Sequence, residues 1–232
     1  MKKMWRIVVK IVRMIFRREL LDELYRIDKT FLLNSIVGFL IGMGYGFEVN
    51  VYFIRYGLSA LTGAVAMGVS WELMPLITAL IAVGRIGVAY AAELASMKVG
   101  QQIDALKTLA VTPWQYLVFP KFIACLIMMP GLTIFAVFAC FFGEYLVAQS
   151  MGVNMETFLN LAKSAFNFSY LIKGMLKAIV FGGVIALISC SCGLNLEKEQ
   201  ESAWGVGRAV EKTVIFSFVA IFLINFCFAF SF

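Results

Sequence analysis

Residues 122–143 read FIACLIMMPGLTIFAVFACFFG, twenty-two consecutive positions without a charge. As a helix this run rises about 33 Å, and the hydrocarbon core of a bilayer is about 30 Å thick. Three more uncharged runs have spanning length: Thr30–Phe47 with 18 residues, Ala178–Leu196 with 19 and Thr213–Phe232 with 20. A further stretch, Leu73–Met97, is interrupted only by Arg85 and Glu93. The whole chain agrees with these runs: 62% of its 232 residues are hydrophobic and 15% charged, where soluble domains hold about 45–50% and about 25%. The expectation is an all-α integral membrane protein with five transmembrane helices, near 30–55, 73–97, 118–144, 176–196 and 213–232.

One piece does not fit that scheme easily. Tyr56–Trp71 is uncharged for 16 residues, and joined to Leu73–Met97 it would make a helix of roughly 60 Å, twice the hydrocarbon thickness. Glu72 and Pro75 stand at the join, and proline removes a backbone donor and kinks or breaks a helix. Residues 57–72 are therefore read as a broken, tilted or re-entrant lead-in to the second span.

The net charge of +6 is local. Residues 1–29 hold nine Lys/Arg and four Asp/Glu, a balance of +5, which leaves +1 for everything after. Lys3, Arg6, Lys10, Arg13 and Arg17 recur at spacings of three and four, with Met4, Trp5, Val8, Ile11, Val12 and Ile15 on the opposite side. Residues 1–29 thus read as a basic amphipathic helix lying in the membrane interface; a solvated helix packed on a partner protein is the other reading. No signal-peptide core or cleavage site appears. The cations hold the N-terminus in the cytoplasm. Alternation then puts Lys98, Lys107 and Lys121 inside, the 145–176 connection outside, the 197–212 loop inside and the C-terminus outside.

Several chemistries are excluded or disfavoured. The chain has no histidine, so His-based triads, proton relays and His-containing metal sites are out. It has no G-x-x-x-x-G-K-[ST] and no P-loop of its own. Cys125, Cys140, Cys190, Cys192 and Cys227 lie in apolar runs without C-x-x-C spacing, which argues against a disulfide framework or zinc knuckle. The expectation is a protein that is not an enzyme, with no catalytic residue, metal or cofactor and no nucleic-acid partner.

The polar islands are few. Gly38, Gly42 and Gly46 form a tandem G-x-x-x-G, a ridge on which another helix can approach closely. Glu48 follows it and Glu72 opens the second span; each either marks a cavity or pathway or is simply wet at the outer interface. Arg85 and Glu93 lie deeper, as a structural ion pair with a neighbouring helix or as substrate contacts. Lys98–Tyr116 is too polar to enter the bilayer and reads as a short amphipathic cytoplasmic helix at about 99–112. Ile103, Leu106 and Leu109/Ala110 fall on one side, and Gln101, Gln102, Asp104 and Lys107 cover the rest. Such a helix can seat in a groove of a separate motor subunit and transmit motion to the spans.

The chain also carries motifs in a recognisable order. Glu72-Leu73-Met74-Pro75, Thr78-Ala79-Leu80, Gly84-Arg85-Ile86-Gly87 and Ala91-Ala92-Glu93-Leu94 resemble the E-L-G-P…T-A-L…G-R…G…A-E-L signature of the MlaE-type permease family. Gln102-Ile103-Asp104-Ala105-Leu106, Val111-Thr112-Pro113, Pro120-Lys121, Gly205-Val206-Gly207-Arg208-Ala209 and Ile224-Asn225-Phe226 continue the match, which spans roughly residues 30–232. The resemblance implies an MlaE-type permease domain at 30–232: a five-span subunit working as a homodimer in the bacterial inner membrane. Its implied partners are a P-loop ATPase that binds the ATP, a periplasmic MCE-domain carrier and, in some systems, a small STAS-domain protein. The implied cargo is phospholipid, moved between the inner membrane and that carrier. By the same resemblance Gln101, Gln102, Ile103, Asp104 and Leu106 belong to the ATPase-coupling segment, and Glu48, Glu72 and Leu73 lie near the lipid cavity. Arg208 matches the family's arginine near the cytoplasmic start of the last span.

The departures are Met74 for Gly, Gly100-Gln101 for T-E, a charged Glu197–Ser202 loop for a Gly-rich one, and Asn225 for Asp. Trp71 stands where many relatives have Arg, so a cationic contact to a lipid phosphate is not expected from that position. The alternative from another class is an ion-coupled secondary transporter or channel using Glu48, Glu72 and Arg85, although no internal repeat of the kind such transporters show is evident.

Overall fold

The computed structural model describes residues 30–53, 55–57, 61–109, 112–166, 168–196 and 203–231. The expected interfacial helix at 1–29 lies outside the described residues. Those described are helical almost throughout and include no strand, the backbone solution a bilayer imposes on open chains because every N–H and C=O must find its partner within the segment. Five helical stretches are long and apolar enough to cross a membrane: Thr30–Phe53, Thr62–Val99, Trp114–Ser150, Phe168–Leu194 and Trp204–Phe230.

In chain order, α1 is Thr30–Phe53, α2 Thr62–Ala82 and α3 Val88–Val99, the last two joined by a π-helical turn at Val83–Gly87. The short α4 is Gln102–Thr108, and a π-helical turn at Trp114–Val118 leads into α5, Phe119–Ser150. Then follow α6 Met155–Ala165, α7 Phe168–Leu194 and α8 Ala203–Ser231.

The broken lead-in expected at 57–72 is not what forms. Helix α2 runs unbroken from Thr62 with Glu72 and Pro75 inside it, and the irregularity falls later, in the wide turn Val83–Gly87. A proline forfeits one backbone bond, which a membrane helix tolerates when neighbours stabilise it; Met74, next to Pro75, is 1% exposed, in a cluster with Trp71, Ala136, Val137 and Cys140. The helices also overrun their uncharged runs: α5 continues past Glu144, α7 starts before Lys173 and α8 before Arg208. Long basic side chains near span ends do not stop a helix, because their stems lie along apolar surface while their heads reach polar surroundings; Glu144 is instead buried beside Ser70 and Cys140.

The contacts divide the described residues into two compact units. One comprises Ala82–Met128 and Gly182–Phe222; the other comprises Thr30–Ile81, Met129–Phe181 and Leu223–Phe232.

In the second unit the glycine ridge of α1 meets α5. A Cβ on Gly38 would lie 2.8 Å from the Ala136 carbonyl oxygen and one on Gly46 2.9 Å from Glu144 Cα, while one on Gly42 would overlap the Cys140 carbonyl oxygen. The four-residue period of α1 therefore matches positions 136, 140 and 144 of α5, the close approach small residues permit. Buried Asn34 ties α1 to both α2 and α5, donating from Nδ2 to Thr78 Oγ1 at 3.2 Å and to the Leu132 carbonyl at 2.8 Å. Helix α5 ends in a Schellman arrangement: Gly152 has φ +83°, Val153 N–H donates to Ala148 O and Gly152 N–H to Gln149 O. Asn154 then caps α6, accepting from Glu156 N–H at 3.0 Å, and Phe158 buries against Ala66, Phe141 and Tyr145.

In the first unit, Lys98 at the end of α3 donates to the carbonyls of Leu194 at 2.9 Å and Leu196 at 2.5 Å. The Leu194 carbonyl is one the end of α7 cannot satisfy within its own ladder, and Leu196 lies just past the helix. Ala95, Leu196 and Ala209 bury together beside this cap.

Candidate functional site

Within the second unit a cavity of about 370 Å³ opens between α2, α7 and the end of α8. Glu72 and Trp71 come from α2, Tyr170, Lys173 and Lys177 from α7, and Phe228 and Ala229 from α8. Helical spacing explains the grouping: 170, 173, 174 and 177 recur at three and four and share one face of α7. Gly174, on the same face, leaves room for the indole: a Cβ there would sit 3.0 Å from Trp71 Cε3.

The polar chemistry of this cavity is asymmetric. Lys177 Nζ donates to Glu72 Oε1; the lysine side chain is 5% exposed and the carboxylate 60%. Lys173 is half-buried, its ammonium 5.8 Å from the centre of the Tyr170 ring. Trp71 is 8% exposed, and its indole N–H is buried with no hydrogen-bond acceptor among the described residues. Two cations, one carboxylate, an unsatisfied donor and an aromatic–aliphatic wall suit the binding of an amphiphile with an acceptor-rich polar end. They arrange no nucleophile against a base.

The other residues singled out from the sequence are dispersed. Glu48 is exposed on α1 and does not line the cavity, while Leu73 packs on the cluster around Trp71 and Met74. Glu93 pairs with Lys121 at 3.1 Å, the lysine 3% exposed and lying 4.5 Å over the Tyr90 ring; this is the interhelical ion-pair reading of Glu93. Arg85 is exposed on the π-helical turn and has no ion-pair partner among the described residues. Arg208 stacks on Trp204 at 4.6 Å and borders, with Lys212, Ser191 and Asn195, a smaller pocket of about 160 Å³ in the first unit.

The helix expected at about 99–112 is shorter than that, Gln102–Thr108. Gln101 takes a left-handed turn at φ 57°, Gln102 opens α4, and the helix ends at Thr108. Ile103 is 3% exposed and Leu109 72%, Leu106 is half-buried, and exposed Asp104 pairs with Lys107 at 2.8 Å.

Sequence reasoning missed Lys173, Lys177 and Glu144. Lys173 falls in the expected outer connection 145–176 and Lys177 at the start of the expected span 176–196, and their spacing of four just before an apolar run is the available signal. Glu144 was read as the end of the third span. It is instead 1% exposed, with Ser70 Oγ 3.4 Å from Oε2 and Cys140 Sγ 3.8 Å from Oε1. No periodicity signals a carboxyl buried inside a helix junction.

Five spanning helices, a glycine-tightened helix pair and a cavity lined by apolar and charged side chains define a polytopic membrane protein. Comparison with known proteins makes the assignment specific. The family model described as Permease MlaE matches residues 24–231. A probable ABC transporter permease protein of Synechocystis sp. is 34% identical over 213 residues, covering 90% of this chain and 80% of the relative. A probable ABC transporter permease protein of Rickettsia felis is 39% identical over 173 residues, 72% of this chain and 64% of that protein. The chloroplast protein Trigalactosyldiacylglycerol 1 of Arabidopsis thaliana is 33% identical over 188 residues, 80% of this chain but 53% of the plant protein. The chain belongs to the MlaE permease family, and it is a permease subunit.

Proposed function

We propose that this permease subunit moves phospholipid between the bacterial inner membrane and a periplasmic MCE-domain carrier, driven by a separate P-loop ATPase. The observation that carries the reading is the cavity at Glu72 and Lys177. A headgroup phosphate needs cations and donors, acyl chains need the apolar wall beside them, and transfer needs no covalent step. Two copies of the subunit form the transporter, and the exposed side of 102–109 is where the ATPase docks. Membership of an ABC permease family disfavours the ion-coupled reading.

In this reading the N-terminus is cytoplasmic and the C-terminus periplasmic; a reporter fused after Phe232 is then active only in the periplasm. The transport claim is tested in proteoliposomes holding the complex and an acceptor carrier. Wild type transfers labelled phospholipid on ATP addition, and Glu72→Lys, which sets three cations against one another in the cavity, slows transfer at least tenfold, about the cost of one unpaired charge. Unchanged transfer by Glu72→Lys removes the cavity from the pathway.

A further inference from the structure

Within the first unit, the segment proposed to meet the ATPase is fastened to α3 and, through α3, to the end of α7. Only Gly100 and Gln101 separate α3 from α4, and backbone bonds run through them. Gly100 N–H donates to Ser96 O at 2.9 Å, Gln101 N–H to Lys98 O at 3.0 Å and Ala105 N–H to Gln101 O at 3.1 Å. Gln101 is held at φ 57°, a left-handed conformation that a residue with a Cβ keeps only when its surroundings fix it. With Ile103 buried as well, α4 and the end of α3 move together.

Two different contacts then reach α7. The first is close packing. A Cβ on Gly193 would lie 2.8 Å from Leu94 Cβ and 2.9 Å from the Ala91 carbonyl oxygen, so no side chain stands between these backbones to absorb a displacement. Packed surfaces pass on a push, but they lose their attraction once a gap opens under a pull. The second contact is Lys98, whose ammonium donates to the carbonyls of Leu194 and Leu196. Charge-assisted bonds are about twice as strong as neutral ones, and two of them on carbonyls two residues apart also resist rotation of the helix end. Leu196 in turn buries with Ala95 and Ala209, which extends the connection to the start of α8.

Resting on the ATPase-driven reading above, we infer that Lys98 is a positioning residue for transport. It makes the end of α7 and the start of α8 follow α4 under pull as well as push, so that movement of the ATPase becomes movement of these two spans.

The test uses the whole complex, purified through the tagged chain and reconstituted with an acceptor carrier, and reads labelled phospholipid transferred per ATP hydrolysed. Lys98→Met should keep its ATPase and hydrolyse ATP while the lipid moved per ATP falls about fivefold, within the range by which a single coupling residue acts. Lys98→Arg, which keeps the cation and its donors, should restore the ratio. A ratio unchanged in Lys98→Met, with hydrolysis and transfer lowered in equal proportion or not at all, would make the bond a helix cap only and overturn the inference. Loss of the ATPase from Lys98→Met would make the residue part of the docking surface and overturn it too. A second measurement does not depend on the variant folding. In the wild-type complex a non-hydrolysable ATP analogue should change hydrogen exchange over 191–196 and 203–209 together with 102–109. Change over 102–109 alone overturns the transmission while leaving the ATPase-driven reading intact. A wild-type complex that holds no ATPase, or transfers no lipid on ATP addition, overturns that reading and the inference with it.

Discussion

Lys177 donates to Oε1 of Glu72 from 105 residues away, and the two partners are buried unequally, the lysine side chain 5% exposed and the carboxylate 60%. The bond therefore joins a buried cation to an anion that looks into the cavity. Removing the anion strands a charge in a poor solvent; removing the cation leaves a carboxylate that can still be wetted.

That inequality orders the variants. Glu72→Gln should destabilise the protein more than Lys177→Met, by about 1–3 kcal/mol, below the range for fully buried pairs because the carboxylate is partly exposed. The double variant should recover most of the loss. Thermal midpoints in one detergent read the order, and a Lys177→Met midpoint lower than that of Glu72→Gln would contradict this account.

Lys98 offers a second prediction. Its ammonium meets the carbonyls of Leu194 and Leu196, where the end of α7 has no amides left to offer and carries the negative end of its dipole. Lys98→Met should cost about 1–2 kcal/mol, the range for hydrogen bonds to a charged group and for a cation at a helix C-terminus. Hydrogen exchange should quicken over 191–196, with Lys98→Arg restoring most of the protection. Protection unchanged in Lys98→Met would show that the cap does not hold this end.

The spans were legible because a bilayer demands long apolar helices, and Phe122–Gly143 or Ala178–Leu196 satisfies no other requirement so well. The Gly38–Gly42–Gly46 ridge was legible because only close packing calls for three glycines at that spacing. Pro75 misled, since a proline's local cost is about 3 kcal/mol and the packing of Trp71 and Met74 on α5 outweighs it. Lys173 was hidden by its charge, which made the first turns of α7 read as loop, and Lys177 by its place at the very start of the expected span. Their meeting with Glu72 is a tertiary fact that no spacing along the chain announces.

The coupling segment yields a third prediction, which depends on the proposed ATPase. Ile103 is buried and Leu109 is 72% exposed, so only Leu109 can be changed without disturbing the permease. Leu109→Asp should reduce the ATPase recovered with the tagged chain about tenfold, the scale of one well-placed apolar contact at an interface, at an unchanged thermal midpoint. Ile103→Asp should lower the midpoint as well. Full recovery of the ATPase with Leu109→Asp would move the docking surface away from this segment.

Neighbouring glycines of α1 give the sharpest contrast. A methyl on Gly42 would overlap the Cys140 carbonyl oxygen and lie 2.7 Å from its carbon, whereas one on Gly44 meets nothing within 4 Å. The obstacle at Gly42 is backbone of a packed helix and cannot turn aside as a side chain would, so α1 and α5 must separate. Overpacking of this kind costs about 1–3 kcal/mol, and the separation would also loosen the Asn34 bonds to Thr78 and Leu132. Gly44→Ala should instead be neutral or stabilising by up to about 1 kcal/mol, because alanine loses less backbone entropy in a helix. Thermal midpoints of the two variants in the same detergent should therefore move in opposite directions, or one should fall while the other stays. Equal losses would mean that helix flexibility at 42–46, and not the approach of α5, is what the glycines provide.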